Sequence, residues 1–276
     1  VLLSGDAGTN WSSIYTTINS ANLILKHTPE ISFTNEATRS EVMANAYFLR
    51  AYCYFTLVRV FGDCPLLTSG FESEKQEDMY PSRTAASEVY AQVETDIEEA
   101  LRLMPASSKL LHKASPAAIN MLRTEYYLWK AKRLGGGNAA LSTAQSSVDA
   151  VLKAGYALLP TFADIFNLNN EANSELIWTL PYIVNENVTP GTSPNFFAYY
   201  LAPNGDRTRL REAGYTEDEV PAGSHAQYVV PTQAYCDFLA EDARDTRTDV
   251  SVRVFEDKFL TEEVQIKRMV VKFKGS

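Results

Sequence analysis

Histidine, cysteine and net positive charge are all in short supply in this 276-residue chain. The three histidines, His27, His112 and His225, lie far apart in sequence, which argues against a histidine-rich metal site. Cys53, Cys64 and Cys236 form neither an even disulfide framework nor a paired metal spacing. Cys53 falls in the middle of an apolar helix face and reads as a small core residue. Lys and Arg number 25 against 34 Asp and Glu, a net charge of −9. The basic residues are scattered, so no phosphate-tracking surface is expected and nucleic acid is not expected as a partner. No run of about 18 apolar residues occurs, so no helix is expected to span a membrane. Val1-Leu2-Leu3-Ser4-Gly5 is too short for a secretory signal, and any leader or lipid anchor is expected to precede residue 1. Ser4-Gly5-Asp6-Ala7-Gly8 lacks the second half of a phosphate loop. There is no Gly-x-Ser-x-Gly elbow. Carboxylates for glycoside hydrolysis need only meet within roughly 5–10 Å in space, but no residue asks for that role. No catalytic residue, metal ligand or cofactor is therefore assigned.

What the chain does have is aromatic side chains in quantity, 15 Tyr and 13 Phe. Most read as core; some can serve as flat faces for stacking on sugars or peptides. Residues 45–67 concentrate them. Val42, Ala46, Leu49, Cys53, Leu57 and Phe61 recur at helical steps and share a face. Tyr47, Phe48, Tyr52, Tyr54 and Phe55 widen it until the helix must be covered on several sides. Gly62 supplies a left-handed turn that ends the helix, and Pro65 keeps it from resuming.

Other helices flank this one. Residues 11–27 carry Trp11, Ile14, Ile18, Ala21 and Leu25 on one stripe, with Pro29 close behind. The aromatic helix opens at Thr34 or Asn35 as N-cap, with Glu36 in its first turn where the helix dipole favours an anion. After a loop with Gly70, Glu72, Glu74 and Pro81, a third helix is expected from Thr84. Val89, Val93, Ile97, Leu101 and Met104 stripe it and Pro105 closes it. Its Glu94, Asp96, Glu98 and Glu99 read as a solvated face. Ser115 and Pro116 start a fourth helix, with Ile119, Leu122, Tyr126 and Trp129 inward and Gly135-Gly136-Gly137 at its end. A fifth begins near Asn138, carries Ala144, Val148 and Val151, and stops at Gly155.

Beyond Gly155 the texture changes. Residues 156–160 and 175–181 are apolar runs of strand length, and 162–166 looks like one helical turn. Asn167 to Glu175 offers oxygens that could hold calcium, but the spacing fits no EF-hand, and a capped loop is favoured. Residues 184–227 are rich in Pro, Gly, Asn and Thr and read as long loops. A short helix is expected over 231–239, and residues 250–273 alternate in places as two strands would.

Four segments, in order, resemble the SusD/RagB family: Trp11 to Leu25, residues 45–67, Ser115 to Gly135, and Tyr156 to Tyr182. Residues 45–67 resemble its signature helix. The resemblance implies a mostly α fold, tetratricopeptide-like helix pairs forming an α/α superhelix, with a loop-rich variable region and a few short strands. It implies a helical-repeat core over 1–182. Residues 183–276 would be a variable ligand-face region continuing the same domain, with the family's C-terminal helices and lipid-modified cysteine outside this chain. Members look like nutrient-binding lipoproteins of the outer membrane, exposed at the cell surface. The implied function is non-catalytic binding of oligosaccharide for delivery to a SusC-like outer-membrane transporter, with membrane contact only through a lipid anchor. A helical-repeat protein that binds peptides or proteins is the alternative, and a glycoside hydrolase a weaker one.

The candidate ligand surface is Asn195, Phe196, Phe197, Tyr199 and Tyr200, with Asn204, Asp206 and Arg207 nearby. Sugars present apolar C–H faces and rims of hydroxyls; rings meet the first, and Asn, Asp and Arg the second. A buried turn packing on the core competes evenly with this reading. Arg207, Arg209 and Arg211 alternate and could bind carboxylated sugars, though a solvated edge suits them better.

Overall fold

The computed structural model describes residues 11–73, 80–108, 111–170, 172–180, 208, 210–216, 230–242, 244–257 and 265–270. The chain divides into two compact units, Val1–Tyr156 with Leu176–Leu180, and Ala157–Glu175 with Pro181–Ser276.

The first unit is helical. It contains α1 (Ser12–His27), a 3₁₀ turn at Thr28–Glu30, α2 (Glu36–Phe61), α3 (Ala86–Leu103), α4 (Pro116–Arg133) and α5 (Gly137–Leu152). Each helix packs on the next, and α2 also touches α4, as expected for stacked helix pairs of a tetratricopeptide-like array. Caps set several boundaries. The Asn35 side chain accepts from the Ala37 amide at 2.9 Å and opens α2. The Ser115 hydroxyl accepts from the Ala118 amide at 3.1 Å ahead of Pro116. Gly62 ends α2 with φ at 71°, a value that favours glycine.

The third helix departs from expectation at its start. Thr84 is not its cap. It pairs with Cys64 in an isolated antiparallel bridge, and the helix begins at Ala86. Ala85 has no side chain able to cap. Asp63, just past the end of α2, does so instead, accepting from the Ala86 amide at 2.8 Å. A cap delivered from 23 residues away leaves no local sequence signature.

Apolar burial explains why α2 sits at the centre. Phe48, Ala51, Tyr54, Phe55, Leu57 and Val58 are all buried and surround the helix axis. Ile18 from α1, Val89, Val93 and Ile97 from α3, and Ile119, Leu122 and Tyr126 from α4 complete one core. Phe55 and Tyr126 meet edge to face at 5.7 Å. All three cysteines are buried and outside any disulfide, and burial pushes the Cys53 thiol up to about 11.

After α2 the chain crosses α1 as an extended strap over residues 62–73. Hydrogen bonds hold it at successive stations: the Tyr15 hydroxyl donates to the Pro65 carbonyl at 2.7 Å. The Asn22 amide donates to Leu67 at 2.9 Å and Ser69 at 3.3 Å. Asn19 and the Phe71 backbone exchange two bonds, 3.2 and 2.7 Å. Gly70 fits because a Cβ there would lie 2.6 Å from Leu23 Cδ2 and 3.0 Å from the Leu23 backbone nitrogen.

The second unit holds 3₁₀ turns at Phe162–Phe166 and Leu168–Asn170, α6 (Gln233–Ala240), α7 (Arg247–Ser251), β1 (Val252–Asp257) and β2 (Gln265–Val270). The strands pair antiparallel from Val252↔Val270 to Asp257↔Gln265, as the alternation over 250–273 suggested. Residues 156–160 and 175–180 are not strands. In this unit the Ala157 amide donates to the Ser174 carbonyl at 3.1 Å.

Candidate functional site

Asn195, Phe196, Phe197, Tyr199, Tyr200, Asn204, Asp206 and Arg207 all lie outside the described residues, as does Arg209. Arg211 is described and exposed, beside the buried Leu210.

In the Asn167 to Glu175 loop, the side-chain oxygens of Asn167, Asn173 and Glu175 accept from backbone amides. Asn167 Oδ1 accepts from the Asn169 amide at 3.0 Å, and Asn173 Oδ1 accepts from the Glu175 amide at 3.0 Å. Glu175 Oε1 accepts from the Leu159 amide at 2.6 Å. The capped-loop reading accounts for these residues. Among the described residues, no group of three or more His, Cys, Asp or Glu is arranged to hold a metal.

The acidic residues of α3 are not one solvated face. Asp96 is 0% exposed and sits against Arg50, itself buried on α2. Arg50 Nε donates to Asp96 Oδ2 at 2.8 Å and Nη2 to Oδ1 at 2.7 Å. This bidentate pair is joined by the Gln92 amide on Asp96 Oδ1 at 2.8 Å and by Arg50 Nη1 on Asn22 Oδ1 at 2.7 Å. Burial pushes the Asp96 carboxyl up, and the bonds from Arg50 and Gln92 oppose that without cancelling it. Burial also works against the Arg50 charge, but Asp96 more than restores it, so the guanidinium shifts upward. The node joins α1, α2, α3 and the strap at one level of the stack.

Glu94 anchors a second network between α3 and α4. Lys130 Nζ lies 2.6 and 2.7 Å from its two oxygens, and the hydroxyls of Tyr127 and Tyr126 donate at 2.8 and 3.0 Å. Glu98 receives Arg123 Nε at 2.7 Å. Both Asp96 and Glu94 are thus taken up by structural donors.

One described ring cluster lies in the first unit. Trp178 packs edge to face on Phe48 at 5.2 Å and on Tyr52 at 5.5 Å. The neighbouring Thr179 amide bonds to the Leu111 carbonyl at 3.1 Å. Tyr52 remains 38% exposed. Sequence reading placed Trp178 in a strand. Here it fastens an extended segment onto α2 through rings.

Comparison with known proteins returns one consistent answer. A SusD-like family model, described as starch-binding and associating with the outer membrane, matches residues 3–127. SusD-like protein P38 of Formosa agariphila is 31% identical over 214 residues, which is 70% of this chain and 39% of that protein. A SusD superfamily protein from Bacteroides vulgatus shares the fold with a TM-score of 0.81 at 27% identity, covering 97% of this chain and 55% of its own. B. fragilis NanU gives a TM-score of 0.81 at 25% identity, with 97% and 54% covered. The chain therefore spans well under half of that curated relative and about half of these solved structures.

Proposed function

We infer that this chain, which belongs to the SusD-like family, binds oligosaccharide at the outer-membrane surface without transforming it. The observation that carries the inference is the family match itself. It runs from the start of the helical unit into α4 and comes with a description of starch binding at the outer membrane. The physical complement is an aromatic run flanked by amide, carboxylate and guanidinium groups, Asn195 to Arg207, the residue types that meet the two faces of a sugar. In this reading the helical unit is a rigid support, and a lipid anchor would hold the protein at the cell surface. The bound glycan passes to a SusC-like transporter.

The test is affinity electrophoresis and calorimetry of the protein and its Phe196→Ala and Tyr199→Ala variants against starch and other oligosaccharides. Each truncation is expected to weaken binding about tenfold, equivalent to ~1.4 kcal/mol, the scale of one aromatic contact. Release of reducing sugar from the wild type would replace this reading with a hydrolase. Binding confined to peptides would replace it with the peptide-binding alternative.

A further inference from the structure

Most stations that hold the strap over residues 62–73 are indifferent to pH in the neutral range. They are amide, hydroxyl and carbonyl groups: Tyr15 on Pro65, Asn22 on Leu67 and Ser69, Asn19 on Phe71. The Tyr54 hydroxyl adds a bond to the Leu67 carbonyl at 2.9 Å. The last described station differs in kind. Glu72 reaches the C-terminal end of α1, where Lys26 Nζ lies 3.2 Å from its Oε1 and His27 Nε2 makes a hydrogen bond to the same oxygen. The other ring nitrogen, His27 Nδ1, lies 3.5 Å from Glu30 Oε2.

The chemistry of that arrangement is decisive. An ionised carboxylate only accepts hydrogen bonds, and a neutral imidazole has one nitrogen that also only accepts. With a carboxylate at each nitrogen, a neutral His27 would set lone pair against lone pair on one side. Only the imidazolium, a donor at both nitrogens, satisfies Glu72 and Glu30 together. Among the described residues, the charged groups facing the ring are Glu72 from the strap, Glu30 from the 3₁₀ turn and Lys26 from α1. The imidazolium also suits the negative end of the α1 dipole.

We propose that His27 is a proton-operated clasp that fastens the strap to α1 at Glu72 when the imidazole is charged and loosens that attachment when it is not. The sign follows from both partners. Glu72 and then Glu30 hold the His27 imidazole above its usual 6.5, so its contribution is complete below 6.5 and is lost as pH rises through the raised value. His27 and then Lys26 hold the Glu72 carboxyl below its usual 4.5, so that contribution is complete above 4.5 and is lost as pH falls through the lowered value. The clasp is closed between those limits. Lys26 keeps a hold on Glu72 after His27 deprotonates, so the opening is a loosening at residues 72–73 and not a release of the strap.

The test is a heteronuclear magnetic resonance titration of the labelled chain, following the His27 ring and the Phe71, Glu72 and Ser73 amides. The His27 midpoint is expected above 6.5. The Glu72 and Ser73 amides should titrate with the same midpoint and exchange severalfold faster above it, while Phe71 stays protected. Glu72→Gln should return the His27 midpoint toward 6.5, Glu30→Gln should do so less, and His27→Asn should abolish the titration of Ser73. These are surface substitutions, and circular dichroism confirms folding. A His27 midpoint untouched by Glu72→Gln, or a Ser73 amide that ignores it, would overturn the proposal.

Discussion

Asp96→Asn is the sharpest perturbation the fold offers. It changes almost no volume, yet removes the counter-ion of a guanidinium that is only 5% exposed. In the variant one oxygen can still accept from Arg50, but the new amide nitrogen sets hydrogen against hydrogen at the other arm of the fork. What remains for the cation is Asn22 Oδ1 at 2.7 Å and the distant Thr68 carbonyl at 3.4 Å, with the Tyr47 ring 5.4 Å away. Breaking a buried pair from one side costs about 3–5 kcal/mol. A folded domain has about 5–15 kcal/mol in total, so the loss is a large share. With a urea slope of about 1–3 kcal/mol per molar, the midpoint should fall by roughly 1–5 M. All three tryptophans, Trp11, Trp129 and Trp178, lie in the helical unit, so fluorescence reports that unit alone. The control is Arg50→Met with Asp96→Leu, which removes both charges and should recover most of the loss, because well-packed apolar replacements of buried ion pairs are close to neutral. A single variant costing less than ~1 kcal/mol, or a double variant no better than the single, would refute the reasoning.

Two further outcomes follow from the same geometry. Burial raises the Glu94 carboxyl, but Lys130 and the two tyrosine hydroxyls more than reverse this and hold it below 4.5. Its stabilisation is therefore present above 4.5 and fades as pH falls through the lowered value. Glu94→Gln should cost about 1–2 kcal/mol near neutrality, the range for charge-assisted bonds reduced for partial exposure, and the gap to wild type should close in acid-unfolding curves. Gly70→Ala drives a Cβ against Leu23, including its backbone nitrogen at 3.0 Å, and should cost about 1–3 kcal/mol in the same urea titration. An unchanged midpoint would mean that the strap lifts off α1 freely.

The helices were legible because each carries a repeated constraint. Val89, Val93 and Ile97 recur at i+4 and are all fully buried, and Asn35, Ser115 and Thr232 each sit where their side chains cap. What escaped sequence reading is what periodicity cannot encode. Asp96 lies among Glu94, Glu98 and Glu99, and nothing local separates the one acid that faces Arg50, 46 residues away, from its half-buried neighbours. Asp63 as the cap of α3 is invisible for the same reason. At 156–160 and 175–180 an apolar run of strand length was the whole signal, and among the described residues no strand pairs with either. The proposed ligand run at 195–200 rests on residue type alone, with no repeat or cap to tie it to a face.

The buried polar node also explains how a core so rich in small and aromatic side chains settles on one arrangement. Apolar contacts between helices are tolerant: Ala44, Ala51 and Ala100, all 0% exposed, present smooth surfaces that can slide by a turn at modest cost. A bidentate guanidinium–carboxylate pair cannot slide, because a displacement of one residue rise, about 1.5 Å, breaks both of its bonds. Arg50 ties α2 to Asp96 on α3, and through Asn22 to α1. Asn22 in turn holds the Leu67 and Ser69 carbonyls of the strap. One level of hydrogen bonds thus sets the register of three helices and of the segment laid across them. The cost of burying those charges is repaid in the uniqueness of the support.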